Sequence, residues 1–254
     1  MVRGLSEHSV VVVFVRLFSA TLALIFVAVI GVSDNQSVRA ETGLVSKPEI
    51  TNQSLEDLLN SKVIDPNRQE RARAATKMMV EDPDALSKGI HIFRALAKTG
   101  DETQILFVAS ALAGTSKDRA LNEVADIAVT LKKSDTVAEM FRYLVLANAG
   151  PSKAIRRSLA TFADSSQPYD VRDAAGLAAG SMAASSDDNK AILSVNSALL
   201  KAAKDSLKSK ETKIAITCIG AVMNMRTHGD KKVCETLQKH TDKQVLETVK
   251  RQCI

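Results

Sequence analysis

A short pattern returns along the chain at intervals of thirty to forty residues. It reads as a polar cluster, an apolar residue, and then small apolar residues three, four and seven positions on. Val171, Ala174, Ala175 and Ala178 make one copy, and Ile214, Thr217, Cys218 and Ala221 make another. With looser copies included, the anchors are Ala72, Ile105, Val137, Val171, Ile214 and Val245, which lie 33, 32, 34, 43 and 31 residues apart. The three-four-seven spacing is one face of an α-helix. A period of this length is that of a helical hairpin. One hairpin cannot bury its own apolar face, whereas stacked hairpins bury each other's. The pattern therefore predicts an all-α chain, an α-solenoid of antiparallel helical hairpins. A compact, non-solenoid helical bundle is the alternative.

Helix punctuation agrees. Asp65-Pro66 and Asp82-Pro83 each place a capping carboxylate before a Pro at the first helical position. Gly150-Pro151 and Gln167-Pro168 mark further starts, and Gly100, Gly114 and Gly229 fall where helices stop. The spacing predicts twelve helices between residues 54 and 252, among them 117–132, 135–149, 210–226 and 230–240. Each has one apolar stripe, such as Leu86, Ile90, Phe93 and Leu96 in the helix over 83–98. No strand pattern occurs after the leader.

The stretch Tyr169-Asp170-Val171-Arg172-Asp173-Ala174-Ala175-Gly176-Leu177-Ala178 resembles the second helix of a HEAT-like repeat. Such helices run from Asp or Pro through Val-Arg to Ala-Ala and a Leu. The likeness is partial at 211–222 and elsewhere is carried by spacing. It implies a curved helical array whose work is binding proteins rather than catalysis. Some HEAT-like proteins handle pigments or cofactors, which makes a cofactor-handling protein a further alternative.

The first forty residues are of another kind. Arg3 and Arg16 flank a Val-rich run, Leu17 to Val32 carries no charge, and Val38-Arg39-Ala40 follows a polar stretch. Small residues at the last and third-last positions suit signal peptidase, so residues 1–40 read as a signal peptide. The competing reading is a signal anchor through residues 10–32, since Val10 to Val32 is long enough to cross a bilayer. Residues 41–53 read as a flexible linker and 54–254 as the helical-repeat domain. Either leader predicts an extracytoplasmic location, periplasmic or secreted, or a membrane-anchored one. Membrane contact is expected only through the N-terminal segment.

Charge is uneven. From Lys190 to Ile254 there are 13 Lys and Arg against 6 Asp and Glu; from Glu41 to Asn189 there are 18 against 21. A basic C-terminal end suits an anionic partner. Lys201, Lys204, Lys208 and Lys210 are its candidate contacts. With seven Phe, two Tyr and no Trp, the chain lacks the stacked aromatics of a single-strand nucleic-acid groove, and no nucleic acid is expected. Arg142, Tyr143, Tyr169 and Arg172 are the candidate anchors for a protein partner.

No nucleophile elbow, Walker loop, zincin helix or dinucleotide fingerprint occurs in the sequence. No catalytic, cofactor-binding or metal site is expected, and the chain reads as a non-enzymatic interaction scaffold. The alternative is a membrane-anchored envelope adaptor. Three cysteines, Cys218, Cys234 and Cys253, fall in the last 37 residues. Two readings stand: all three are small core residues, or Cys234 and Cys253 form a disulfide across neighbouring helices. A metal site from Cys234, His228 and His240 lacks any compact Cys-x-x-Cys element.

Overall fold

The computed structural model describes residues 54–60 and 67–253. The leader over 1–40, the linker over 41–53 and the Asp65-Pro66 start lie outside the described residues. These residues are all-helical, with no strand among them. The helices are α1 (Leu55–Leu59), α2 (Arg68–Glu81), α3 (Pro83–Thr99), α4 (Glu102–Gly114), α5 (Asp118–Ala128), α6 (Ser134–Val145), α7 (Ser152–Ala163), α8 (Tyr169–Ala184), α9 (Asn189–Ser209), α10 (Thr212–Asn224), α11 (Lys232–Leu237) and α12 (Lys243–Gln252). A 3₁₀ turn, Arg226–His228, follows α10. No helix among the described residues is long and apolar enough to cross a membrane.

Starts and stops follow local chemistry. Asp82 caps α3 through the Asp84 N–H, with Pro83 at the first position. Asp101, Asp188 and Asp242 cap α4, α9 and α12 in the same way. Gly100 closes α3 in the left-handed region at φ 76°, and Lys210 closes α9 there at φ 60°. Several helices stop short of the pattern; α11, expected over 230–240, spans Lys232–Leu237. α5 ends at Ala128, where Thr130 turns its hydroxyl back to the Ile127 carbonyl at 2.8 Å. α6 ends at Val145, well before Gly150. Gly150 is needed for contact rather than termination: a Cβ there would lie 1.8 Å from the Met182 carbonyl oxygen.

Packing joins each helix to the helix two positions on and, except between α6 and α7, to its sequence neighbour. The even-numbered helices thus form one row and the odd-numbered ones a second, an arrangement compatible with an α-solenoid. The core lies between the rows, with Phe93, Leu112, Leu121, Met140, Phe141, Leu144 and Phe162 at most 2% exposed. α8 packs on α6, α7 and α10. Its inward side is small: Ala174, Ala175, Ala178, Ala179 and Gly180 are all buried. Helices with so little between them approach closely. A Cβ on Gly180 would stand 2.3 Å from the Ala221 carbonyl oxygen of α10.

Polar links run along the edges of the rows. On the edge with the N-termini of the even helices, Arg68 donates to the Thr103 carbonyl at 2.9 Å, Lys133 pairs with Glu102, and Thr212 donates to Asp242 at 2.8 Å. On the opposite edge the Asn148 N–H donates to Ser116 at 3.1 Å, Ser152 donates to Asp188, and the Asp230 N–H donates to Asn196 at 2.8 Å. Across the odd row, Arg94 holds Glu123 through two bonds of 2.7 and 2.6 Å, and Asp126 takes both Lys153 and Arg157. These edge partners lie 30–36 residues apart in sequence. The period seen in the apolar pattern therefore returns in the polar one.

Gly180→Ala should drive α8 from α10 and lower stability by about 3 kcal/mol. At Gly220 the nearest atom is the end of a flexible side chain, Leu177 Cδ2 at 3.0 Å. Gly220→Ala should therefore change stability by less than about 1 kcal/mol, because the helix-propensity gain offsets the contact. Urea unfolding of the two variants checks the contrast; equal effects would contradict the close approach. A second expectation concerns acid. The hydrogen bond from Ser152, then those from the Ala191 and Lys190 N–H groups, hold the Asp188 carboxyl below its ordinary 3.8. Thr212, then the Gln244 and Val245 N–H groups, do the same for Asp242. Both carboxyls titrate lower folded than unfolded, so the stability they contribute is complete above the ordinary value and is lost as pH falls through the folded ones. Urea midpoints taken downward from neutral pH should drop in this window, and Ser152→Ala with Thr212→Ala should make the drop shallower.

Candidate functional site

The residues at the start of the even row build an open groove of about 410 Å³ across α2, α4 and α6. Its apolar floor is Ala72, Leu106 and Phe107, and its polar rim is Arg68, Glu139 and Tyr143. Helical spacing explains why these side chains face together: Arg68 and Ala72 are four apart on α2, as are Glu139 and Tyr143 on α6. Arg68 is fixed twice. Its guanidinium carbon lies 5.1 Å from the Phe107 ring centre, while Nη2 donates to the Thr103 carbonyl. Burial and the neighbouring Glu139 charge push the Tyr143 phenol up to about 12, against the opposing Arg68 charge. Tyr143 therefore stays neutral over the whole ordinary pH range and offers a hydroxyl at the groove. Such a surface, apolar below and polar around, suits an anchoring side chain of a partner.

The four anchors expected from sequence separate into three kinds. Tyr143 lines the groove. Arg142 does not: it is exposed and pairs with Glu139 at 2.9 Å, a surface pair worth at most about 1 kcal/mol. Tyr169 and Arg172 are tied into the fold. The Tyr169 hydroxyl lies 3.2 Å from Asp173 and 3.3 Å from Thr217, and the Lys213 ammonium stands 4.9 Å from its ring centre. Its phenol, pushed up to about 12 mainly by burial, stays neutral and bonded. Arg172 Nε donates to the Phe162 carbonyl at 3.1 Å. That carbonyl belongs to the last turn of α7, where no intrahelical donor remains. The Arg of the repeat-like stretch is thus a strut between α7 and α8.

Lys201, Lys204 and Lys208 are exposed on α9, and Lys210 is exposed in the turn after it. Among the described residues no carboxylate lies within ion-pair distance of these four lysines. Cys234 of α11 and Cys253 at the end of α12 are joined by a disulfide, with Cα atoms 6.0 Å apart. Cys218 is a buried core residue of α10, its thiol pushed up to about 12 by burial. The two readings of the cysteines therefore divide: a bridge for two and core for the third. His240 is buried, and its Nδ1 accepts from the Asp242 N–H at 3.0 Å. No group of three or more His, Cys, Asp or Glu that could hold a metal occurs among the described residues.

Sequence reasoning missed Arg68 and Phe107. Nothing local marks either one; only the stacking of α2 on α4 and α4 on α6 brings them to Tyr143. Reduction of the Cys234–Cys253 bridge should lower stability by about 3 kcal/mol, from loop entropy over its separation of 19 residues. Thermal melts with and without reductant test this. Cys253→Ser should abolish the reductant effect and Cys218→Ser should leave it. The Cys218 thiol should resist alkylation until the protein unfolds.

No protein-family model matches the chain, and no curated protein matches it. Two crystal structures, both described as engineered proteins, superpose on it distantly. One shares 18% identity, covering 78% of this chain and 94% of its own, with a TM-score of 0.43. The other shares 20% identity, covering 78% of this chain and 56% of its own, with a TM-score of 0.43. A likeness this distant assigns neither ligand nor activity.

Proposed function

We propose that this is a non-enzymatic, exported helical-repeat protein, an α-solenoid of antiparallel HEAT-like hairpins that serves as a scaffold for a protein partner. The groove across α2, α4 and α6 carries this reading. It presents a ready-made apolar floor, Phe107 and Leu106, with a fixed cation and a neutral phenol at its rim. A partner side chain entering it would displace water without ordering a loop, which lowers the entropic cost of binding. The bridged cysteine pair supports an oxidising compartment outside the cytoplasm. The basic C-terminal end is offered to an anionic partner. A membrane-anchored envelope adaptor is the second reading, favoured by the length of the stretch from Val10 to Val32, in which Arg16 is the one charge.

Site-specific photocrosslinking in cells tests the scaffold. A crosslinker at Gln69, on the groove rim, should capture a discrete protein species. The same group at Ala160, exposed on the odd row, should not. Tyr143→Ala should reduce the yield at Gln69 roughly tenfold, the effect of losing one interface anchor of about 1.4 kcal/mol, read well below the melting point of the variant, which loss of a ring packed on the core lowers. Equal capture at both positions, or an unchanged yield in the variant, would sink the groove as the binding surface.

A further inference from the structure

The basic excess of the sequence is spread over the last quarter of the chain, and the fold gathers part of it onto one edge. The bond from Thr212 to Asp242 sets the α9–α10 turn beside the α11–α12 turn. Lys208, Lys210 and Lys213 belong to the first turn and its flanks; Lys239 and Lys243 belong to the second. All five are exposed. Among the described residues none of the five has a carboxylate within ion-pair distance. The carboxylates of the two turns, Asp242 and Glu211, are engaged locally, as is Asp173, which holds Tyr169 and Thr217 beneath Lys213. Asp242 accepts from Thr212 and from the Gln244 and Val245 N–H groups, and Glu211 accepts from Ser209 at 3.5 Å. The edge keeps an excess of positive charge. Lys201 and Lys204 lie further back along α9, away from it.

The make-up of this edge decides what it fits. No exposed large apolar side chain lies on either turn; those of the described chain are Val80, Val129, Leu146, Leu193 and Met223. The one aromatic nearby, Tyr169, is half-buried beneath Lys213 and hydrogen-bonded within the fold. Protein interfaces concentrate their energy on apolar and aromatic anchors and are poor in Lys. Every cation on these turns is Lys, a hydrated point charge without the planar fork that Arg brings to a carboxylate or a single phosphate. Point charges spread along an edge match a diffuse sheet of negative charge, and their effects on a bilayer surface add.

We propose that this edge docks on an anionic lipid surface through Lys208, Lys210, Lys213, Lys239 and Lys243. This deepens the anionic-partner part of the proposed function and extends membrane contact beyond the N-terminal segment. It makes no use of the groove, so the groove crosslinking and the lipid test fail independently. The test is lysine acetylation footprinting of the full-length protein on two kinds of vesicle, phosphatidylcholine alone and phosphatidylcholine mixed with phosphatidylglycerol. Any insertion of the apolar leader occurs in both and leaves the comparison intact. On the anionic vesicles at low salt the five lysines should be protected several-fold relative to Lys77 and Lys190. The protection should vanish on neutral vesicles and fade in high salt, as screened charge contacts do. Replacing the five with Gln should abolish the anionic preference with an unchanged melting point, whereas Lys201→Gln with Lys204→Gln should keep it. Equal protection on both vesicles overturns the proposal. So does protection by polyglutamate but by neither vesicle, which would make the partner an acidic polypeptide.

Discussion

Gly180 leaves no side chain between α8 and the Ala221 carbonyl of α10, and much of the molecule depends on that contact. α8 is the helix that meets α6, α7 and α10 together. Apart from Val171 and Met182 its buried positions are Ala and Gly, so its neighbours close near its backbone rather than on long side chains. Close-packed interiors transmit such constraints, because no free volume remains to absorb a shift. The position of α10 then fixes α12, and that of α6 fixes α4 and the groove. A methyl group at one glycine would be felt along the whole even row.

Polar chemistry works at the edges of this apolar array. Asp188 and Asp242 each satisfy orphan N–H groups of their own helix and accept from a side chain of a neighbouring one. Arg172 does the converse for a carbonyl at the end of α7. Capping and stacking are thereby one set of bonds. A helix cannot move away from its neighbour without exposing its own terminus, and this ties local helix stability to the array. The disulfide applies the same logic to α12, the last helix among the described residues.

The two candidate surfaces differ in kind. The groove combines an apolar floor with fixed polar groups, a surface suited to an anchor. The lysine edge is hydrated charge without an apolar centre. They are built from helices at opposite ends of the described chain, so the scaffold reading and the lipid reading divide the molecule between them.

Helix number, most starts, the stripes and the small residues of α8 were all legible in the sequence, because each depends on spacing within about one helix length. Tyr143, singled out from the sequence, lines the groove on α6. The reading of Tyr169 and Arg172 as anchors was incomplete, because their polar atoms meet Thr217 and Phe162, residues that only folding brings near. Arg68, Phe107, Lys239 and Lys243 gave no local sign of belonging to a surface. The sequence by itself determined an all-helical chain with a period in the thirties and a basic end. Only the tertiary structure decided which side chains share a groove, which cysteines meet and which lysines form an edge. The reason is physical: periodicity sets which face of a helix is buried, whereas the neighbour that covers it is chosen by packing between residues thirty or more positions apart.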